Sequence, residues 1–344
     1  MRKMKFPLFI LLIVLLSCTK PPSTGFQFGE KRDLTGKPVS LTDSVHLRYP
    51  FRIRTTDSLL YILDLHGPDF YCHTFVYPKM TVKNSYARKG NGPGEFLRVE
   101  NIRLGQQGAI YLLDANNNTI SIYDSSSDSL SQRINLSEKL IRCLDFSLVN
   151  DSLFAVPDYT GTCRINLVDR EGKIQEQLFT IPTNKRNESK IPGIVLAQAW
   201  RSFIDYNPEN NILAMATQLG QVIEVYNLKT KETIRVMHGE FGEPEFATGD
   251  AYAVPNGIMG YSDVHVGSDK IYTLFWGTSF KEIRENPLNR MEGGNIIQVF
   301  SLEGTPIIQY TLDKYITGFC IDEKKNILLG LDINSDQQLI EYQL

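Results

Sequence analysis

Two imidazoles and two carboxylates fall within ten positions of one another, at Asp64, His66, Asp69 and His73. These are donor types that hold a divalent metal, so this stretch is the first candidate metal site. The spacing follows no tight ligand motif, and Gly67-Pro68 between the donors marks an ordinary turn. Arg88 and Lys89 precede the run GNGPGEF at 90–96, where Glu95 is the remaining group with chemistry to offer. Tyr159, Trp200, Tyr252 and Trp276 supply flat apolar surface with a polar edge. Arg88, Lys89 and Arg201 suit a carboxylate. An aromatic-plus-arginine surface suits a glycan, a peptide or another protein; the structural alternative is that each ring packs in the core.

Glu100, Asn101, Asp145, Arg201, Asp205 and Asp263 would build an active site if the fold brought them together on one axis. His46, His238 and His265 have no visible partner pattern. No H-E-x-x-H, G-x-S-x-G or Walker motif occurs, so no catalytic residue is assigned. The glycines at 90–94 lack the βαβ setting of a dinucleotide site.

The elements that must position these groups are strands. Phe51-Arg52-Ile53-Arg54, Ile120-Ser121-Ile122-Tyr123, Val222 to Tyr226 and Ile297 to Phe300 alternate with period two. Alternation puts successive side chains on opposite faces of a strand. Turn residues punctuate the runs every eight to fifteen positions or so. Only Ile191 to Trp200 has the look of a helical turn or two.

A longer period is visible when the runs are aligned. A turn followed by an apolar-aromatic strand recurs at 57–64, 108–114, 151–156, 211–215, 269–274 and 326–330. The spacing of roughly 43 to 60 residues fits a four-stranded propeller blade with insertions. One such sheet cannot bury both faces, whereas six arranged radially can. The expected fold is all-β, a single six-bladed β-propeller over 26–344. After Tyr315 the chain supplies only three strands, so Phe26 to Leu41 is expected to add the outer strand of the last blade and close the ring.

The stretch GNGPGEFLRVENIRLGQQGAIYLLDANNNTISIYD from Gly90 to Asp124 resembles an NHL repeat, with Gly90, Gly92, Pro93, Gly94 and Phe96 in the turn. A fainter echo runs from Gly239 to Phe246. Residues 40–344 are similar to the six-bladed, TolB-like propeller lipoproteins of Bacteroidetes. The resemblance implies the fold; propellers host many unrelated activities. Gly92 and Gly94 are the positions expected to take positive φ in the turn.

Composition excludes several classes. The 344 residues are 42% hydrophobic and 22% charged with a formal net charge of −3, which argues against disorder and against a basic nucleic-acid binder. Arg2, Lys3 and Lys5 precede an apolar run from Phe6 to Leu16, too short to span a bilayer and suited to a secretory signal. Leu15-Leu16-Ser17-Cys18 resembles a bacterial lipobox, which implies cleavage after 17 and lipidation of Cys18; the alternative is an ordinary signal with a chance cysteine. Residues 18–25 then form the lipidated cysteine and a tether, and the mature chain carries 33 basic against 39 acidic residues. Cys72, Cys143, Cys163 and Cys320 remain, in no C-x-x-C pattern, and are expected as buried thiols in strands in preference to a disulfide.

In a propeller the links between blades share one face with the loops joining second and third strands, and the three longest loop segments (181–198, 238–261, 276–295) all fall on that face. The expected protein is exported and anchored by lipid in the cell envelope. It acts as a non-enzymatic binding module whose loop face meets a protein, glycan or small molecule, with membrane contact through the anchor alone and no nucleic acid. No cofactor is expected, a divalent metal being the open possibility. The alternative is a metal-dependent hydrolase or lyase with its site in the central channel.

Overall fold

The computed structural model describes residues 25–41, 45–105, 108–124, 129–183, 191–249, 252–286 and 291–344. The segment expected as a signal peptide, the expected lipidation site Cys18 and the expected tether before Gly25 lie outside them. Two strands come first, β1 (Glu30–Leu34) and β2 (Lys37–Val39). The first blade is β3 (Pro50–Thr55), β4 (Leu59–Asp64), β5 (Phe70–Val76) and β6 (Thr81–Arg88). The second is β7 (Val99–Leu104), β8 (Ala109–Asp114), β9 (Thr119–Asp124) and β10 (Ser129–Asn135). The third is β11 (Ser147–Asn150), β12 (Leu153–Pro157), β13 (Ile165–Asp169) and β14 (Ile174–Leu178).

Helix α1 (Gly193–Ala199) leads into the fourth blade, β15 (Ser202–Asn207), β16 (Ile212–Thr217), β17 (Val222–Asn227) and β18 (Glu232–His238). A hairpin of β19 (Phe246–Thr248) and β20 (Ala253–Pro255) follows. The fifth blade is β21 (Tyr261–Val266), β22 (Lys270–Phe275), β23 (Gly294–Ser301) and β24 (Pro306–Ile316), with α2 (Phe280–Glu285) inserted after its second strand. The sixth has β25 (Phe319–Asp322), β26 (Ile327–Leu331) and β27 (Leu339–Gln343).

The six recurring apolar runs are β4, β8, β12, β16, β22 and β26, the second strand of each blade. All six residues of β16 are buried, and β4 and β8 bury all but the first. A strand buried on both faces reads as a continuous apolar run. Outer strands face water, and β18 exposes its first four residues.

Six hydrophobic clusters fill the six seams between adjacent blades. Leu63 and Tyr86 meet Ile102 and Leu112 between blades one and two. Ile53, Ile62 and Phe75 meet Leu329, Leu331 and Leu339 where the last blade meets the first. Truncating a fully buried leucine such as Leu112 or Leu329 to alanine removes about 2–5 kcal/mol.

The amino-terminal segment holds two sheets. β2 pairs antiparallel with β27, Lys37 opposite Glu341 and Val39 opposite Leu339, as the outer strand of the last blade. β1 runs parallel to β24 as a fifth strand of blade five, a pairing the sequence did not suggest. Phe26 and Phe28 pack on Phe300, with ring centroids 5.2 and 5.6 Å away. The four cysteines of the body are buried and unpaired. Among the described residues no helix is long and apolar enough to cross a membrane.

Candidate functional site

The first strand of each blade is a sheet edge, so its axis-facing N–H and C=O groups need partners from outside the sheet. Side chains of neighbouring blades supply them. An Asp145 carboxylate oxygen accepts from the Ile204 N–H at 2.9 Å, Asp205 from the Val266 N–H at 2.8 Å and Asp263 from the Phe319 N–H at 3.3 Å. The Ser147 hydroxyl accepts from the Tyr206 N–H at 3.0 Å, and the Thr317 hydroxyl donates to the Pro50 carbonyl at 2.7 Å. Each is a link from one inner strand to that of the next blade.

Three arginines complete this axial network. The Arg103 guanidinium donates to Asp205 at 2.8 Å, to Asp145 at 3.1 Å and to the carbonyls of Phe146 and Ile204. Asn101 donates to the same Asp145 carboxylate. Arg52, fully buried, stands over the rings of Phe51 and Phe203, 3.8 and 4.5 Å from their centroids. Its Nε is 3.8 Å from Asp263, and Arg54 Nη1 is 3.7 Å from the other oxygen of that carboxylate. His265 Nδ1 lies 3.5 Å from Asp205.

These environments move the charges in different directions. Burial opposes ionisation of Asp205, yet Arg103, His265 and Arg54 together hold its carboxyl down to about 2. At Asp145 burial prevails over Arg103 and Arg52 and the carboxyl is raised. Burial also lowers the Arg52 guanidinium and pushes the Cys320 thiol up to about 12.

Phe51 and Phe203, with centroids 6.4 Å apart, meet across the axis towards the loop face. Below them a cavity of about 480 Å³ opens on the opposite face, among the ends of the inner strands and the turns that follow. Arg54, Arg103, Asp205, His265 and Cys320 line it together with Leu104, Tyr206 and Ile321. The sequence points first to the loop face; this cavity lies on the other one. A larger open groove of about 830 Å³ runs beside β14, but its carboxylates are taken, Asp158 by Thr160, Thr162 and Cys163 and Glu176 by Lys231 at 2.7 Å.

Of the acids proposed to converge, Asp145, Asp205 and Asp263 do so, with Asn101. Glu100 instead pairs with Arg98, and Arg201 lies at the entrance of the fourth blade, where burial lowers its guanidinium. Sequence reasoning missed Arg52, Arg54, Arg103 and His265. The available signal was the i, i+2 spacing of polar residues in first strands: Arg52 and Arg54, Asn101 and Arg103, Asp263 and His265.

The suggested metal ligands do not converge. Asp64 accepts the backbone N–H groups of Arg48, Tyr49 and His66 within 3.1 Å, tying the incoming link to the turn. His66 lies 5.0 Å from the Tyr49 ring by centroids, Asp69 accepts the Lys89 N–H through its backbone carbonyl, and His73 contacts Ser85 at 2.8 Å. Burial lowers the His73 imidazole. Among the described residues no three His, Cys, Asp or Glu side chains are grouped to hold a metal, and the axial carboxylates have arginine as counter-charge.

The suggested binding residues divide. Trp200 is fully buried; its carbonyl accepts from Arg164, which forms a buried bidentate pair with Glu224 joining blades three and four. Tyr159 is buried as well. Lys89 stands 4.4 Å over the Tyr71 ring and donates to the Leu65 carbonyl. Glu95 caps its own turn by accepting the Gly92 N–H at 2.8 Å, with exposed Arg88 3.9 Å away. The positive φ values fall on Gly90 and Gly94; Gly92 is not among them. Tyr252, 57% exposed, and half-buried Trp276 remain on the loop face, the latter in a hollow of about 410 Å³ with Met291 and Tyr315.

Solved structures with this fold include a putative exported protein of Bacteroides fragilis, 13% identical with a TM-score of 0.56, aligned over 91% of this chain and 97% of that one. A DUF4221 family member from Bacteroides vulgatus is 11% identical, TM-score 0.57, over 91% and 98%. Virginiamycin B lyase of Staphylococcus aureus is 12% identical, TM-score 0.54, over 91% and 100%. At these identities the likeness is one of fold. No curated protein sequence matches the chain. Residues 27–324 match the family model described as TolB-like 6-blade propeller-like, and with six seams, six inner strands and a match over most of its length the chain belongs to that family.

Proposed function

We propose that this protein is a lipid-anchored binding module of the bacterial cell envelope that docks a partner protein on its loop face. One observation carries the reading. Of the eight large apolar side chains exposed among the described residues, six (Leu97, Ile141, Phe241, Tyr252, Val254 and Met291) lie in the links and insertions of that face, Val254 on the hairpin strand β20. Exposed apolar surface gathered on one side of a soluble body marks an interaction site. Aromatic residues and methionine are the types enriched there.

The anchor fits the same geometry. Gly25 lies against Glu240, in the link that carries Phe241. A leash from Cys18 to Gly25 reaches at most about 25 Å, so it would hold this face near the membrane that carries the lipid. The exported relative in Bacteroides fragilis supports the envelope location.

The test is photocrosslinking in cells of the native organism, with a photoreactive amino acid at Phe241 or Tyr252 and, as controls, at Ile234 or Ile307 on outer strands. A discrete adduct from the loop-face positions alone is expected. The same adducts from all four positions, or none from Phe241 and Tyr252, would overturn the docking face. Fractionation of Cys18→Ala tests the anchor separately; the variant is expected to leave the membrane fraction.

A further inference from the structure

The three arginines and three aspartates on the axis balance in number and not in space. Arg103 has two carboxylates against it, Asp145 at 3.1 Å and Asp205 at 2.8 Å. Asp263 has two guanidiniums near it, Arg52 at 3.8 Å and Arg54 at 3.7 Å. The Arg103 side therefore carries a surplus negative charge and the Arg54 side a surplus positive one. The Asp263 oxygens also accept the N–H groups of Val264 and Phe319.

Arg54 is the arginine of that pair that lines the 480 Å³ cavity. Its Nη1 donates to the Ile53 carbonyl at 2.8 Å, while its Nη2 is closed off from solvent with no hydrogen-bond partner. A buried guanidinium nitrogen without an acceptor is uncommon and costly in a folded protein. The side chain as a whole is 13% exposed and lines the cavity, and binding requires its guanidinium to turn so that Nη2 meets an acceptor there.

We propose that this cavity, on the face away from the loops, binds a small monocarboxylate with an apolar body, its carboxylate on Arg54. The volume is within the range of small-molecule sites, which pair mostly apolar walls with a few convergent polar groups. Leu104, Leu148, Val266 and Ile321 offer the apolar wall. Arginine matches the planar carboxylate with two parallel N–H donors. A dianion such as phosphate suits the site poorly: Arg54 is the one lining guanidinium with no hydrogen bond to a carboxylate, Asp263 already stands 3.7 Å from it, and Asp205 and Asp151 also face the cavity.

Fluorine NMR of the full chain with 4-fluorophenylacetate as probe tests this, with 4-fluorophenylacetamide and inorganic phosphate as comparisons. The acid is expected to bind, and the amide to bind at least about tenfold more weakly, as expected for loss of a charged hydrogen-bond pair. Arg54→Met is expected to weaken the acid by about tenfold to a hundredfold, Arg54→Lys by less, and Lys281→Gln on the other face not at all. Should Arg54→Met fail to fold, nuclear Overhauser contacts from the bound acid to the Leu104 and Ile321 methyl groups of the unaltered protein locate the site. Equal binding of acid and amide, binding of phosphate alone, unchanged affinity in folded Arg54→Met, or contacts to other methyl groups would each overturn the proposal.

Discussion

Arg103 Nη1 sits 2.8 Å from Asp205 Oδ1, and that contact joins the second blade to the fourth. The blade between them contributes Asp145 to the same guanidinium. Arg52 and Asp263 bring the first and fifth blades together in the same manner, with the Phe203 ring of the fourth blade beneath the cation. The axis is thus tied across the ring as well as around it. Seam packing alone fixes each blade to its two neighbours; the charged network fixes blades that share no seam.

Removal of the Arg103 charge tests that tie. Arg103→Met keeps much of the volume but leaves Asp145 and Asp205 buried without their main cation. Loss of one partner from a buried ion pair costs about 3–5 kcal/mol, so urea unfolding should show a fall of that order. The double variant Arg103→Met/Asp205→Asn should recover part of it, because one stranded charge is removed. A loss below about 1 kcal/mol in the single variant would mean the network contributes little to stability.

The pH dependence of Asp205 follows from its partners. Its folded carboxyl, held at about 2 against burial by Arg103, His265 and Arg54, titrates below the ordinary 3.8. Its stabilisation is complete above the unfolded pKa near 4 and is lost as pH falls towards about 2. A shift of this size corresponds to about 2 kcal/mol. Asp205→Asn should therefore be less stable than the parent at pH 7, with the gap narrowing between about pH 4 and pH 2 in denaturant titrations. Asp145 has the opposite sign, because burial raises its carboxyl and acid relieves the penalty of its charge. A gap for Asp205→Asn that stays constant with pH would refute the assignment.

The six second strands were legible because burial on both faces writes an unbroken apolar run, as in Leu60 to Leu63 and Ile212 to Ala216. The expected helix at 191–200 appears as α1 because its Val195, Ala197 and Ala199 are buried. The strand β1 was illegible: four of its residues, Glu30 to Asp33, are exposed, so its pairing leaves no apolar pattern. Helix α2 did have a signal, the Ser279 and Glu282 capping box, which a search for longer helical periods passes over. The axial arginines were hidden because a charged residue on a strand reads as solvent-facing until the blade register turns that strand inward. Trp200 failed as a surface aromatic for the related reason that it is buried where the 4–5 link and its hairpin pack near it, with Phe246 and Ala253 against its cluster.

Thiol chemistry separates the body from the proposed anchor. Cys143, Cys163 and Cys320 are pushed up to about 12 by burial, and Cys72 is raised for the same reason. Protonated, buried thiols react slowly. Native protein at pH 8 should show almost no reaction of the body thiols with a disulfide reagent, and urea should release all four. The full chain contains five cysteines. Mature protein lipidated at Cys18 should titrate four thiols on unfolding, and Cys18→Ala should give four as well. Five in the mature protein would refute lipidation, and fewer than four under non-oxidising preparation would refute the free-thiol arrangement.

Closure by the amino-terminal segment makes the last prediction. β2 supplies the outer strand of blade six, β1 reinforces blade five, and Phe26 and Phe28 cover Phe300 at the seam between blades four and five. Deletion of 26–43 would bare the edges of β27 and β24 together. Because the seams form a ring, the loss should lower a single cooperative melting transition for the whole body, with apolar surface exposed at the sixth blade. Gly36 offers a subtler probe: a Cβ there would stand 2.3 Å from Ile340 Cγ2 and 2.8 Å from the Tyr342 ring. Both neighbours are essentially fully buried, so neither can yield without disturbing the seam. Overpacking of this kind costs about 1–3 kcal/mol, and Gly36→Val should melt earlier by that measure. If the deletion removed only a local, low-temperature step and left the main transition in place, the strand would be an attachment and the ring would be closed by its other contacts.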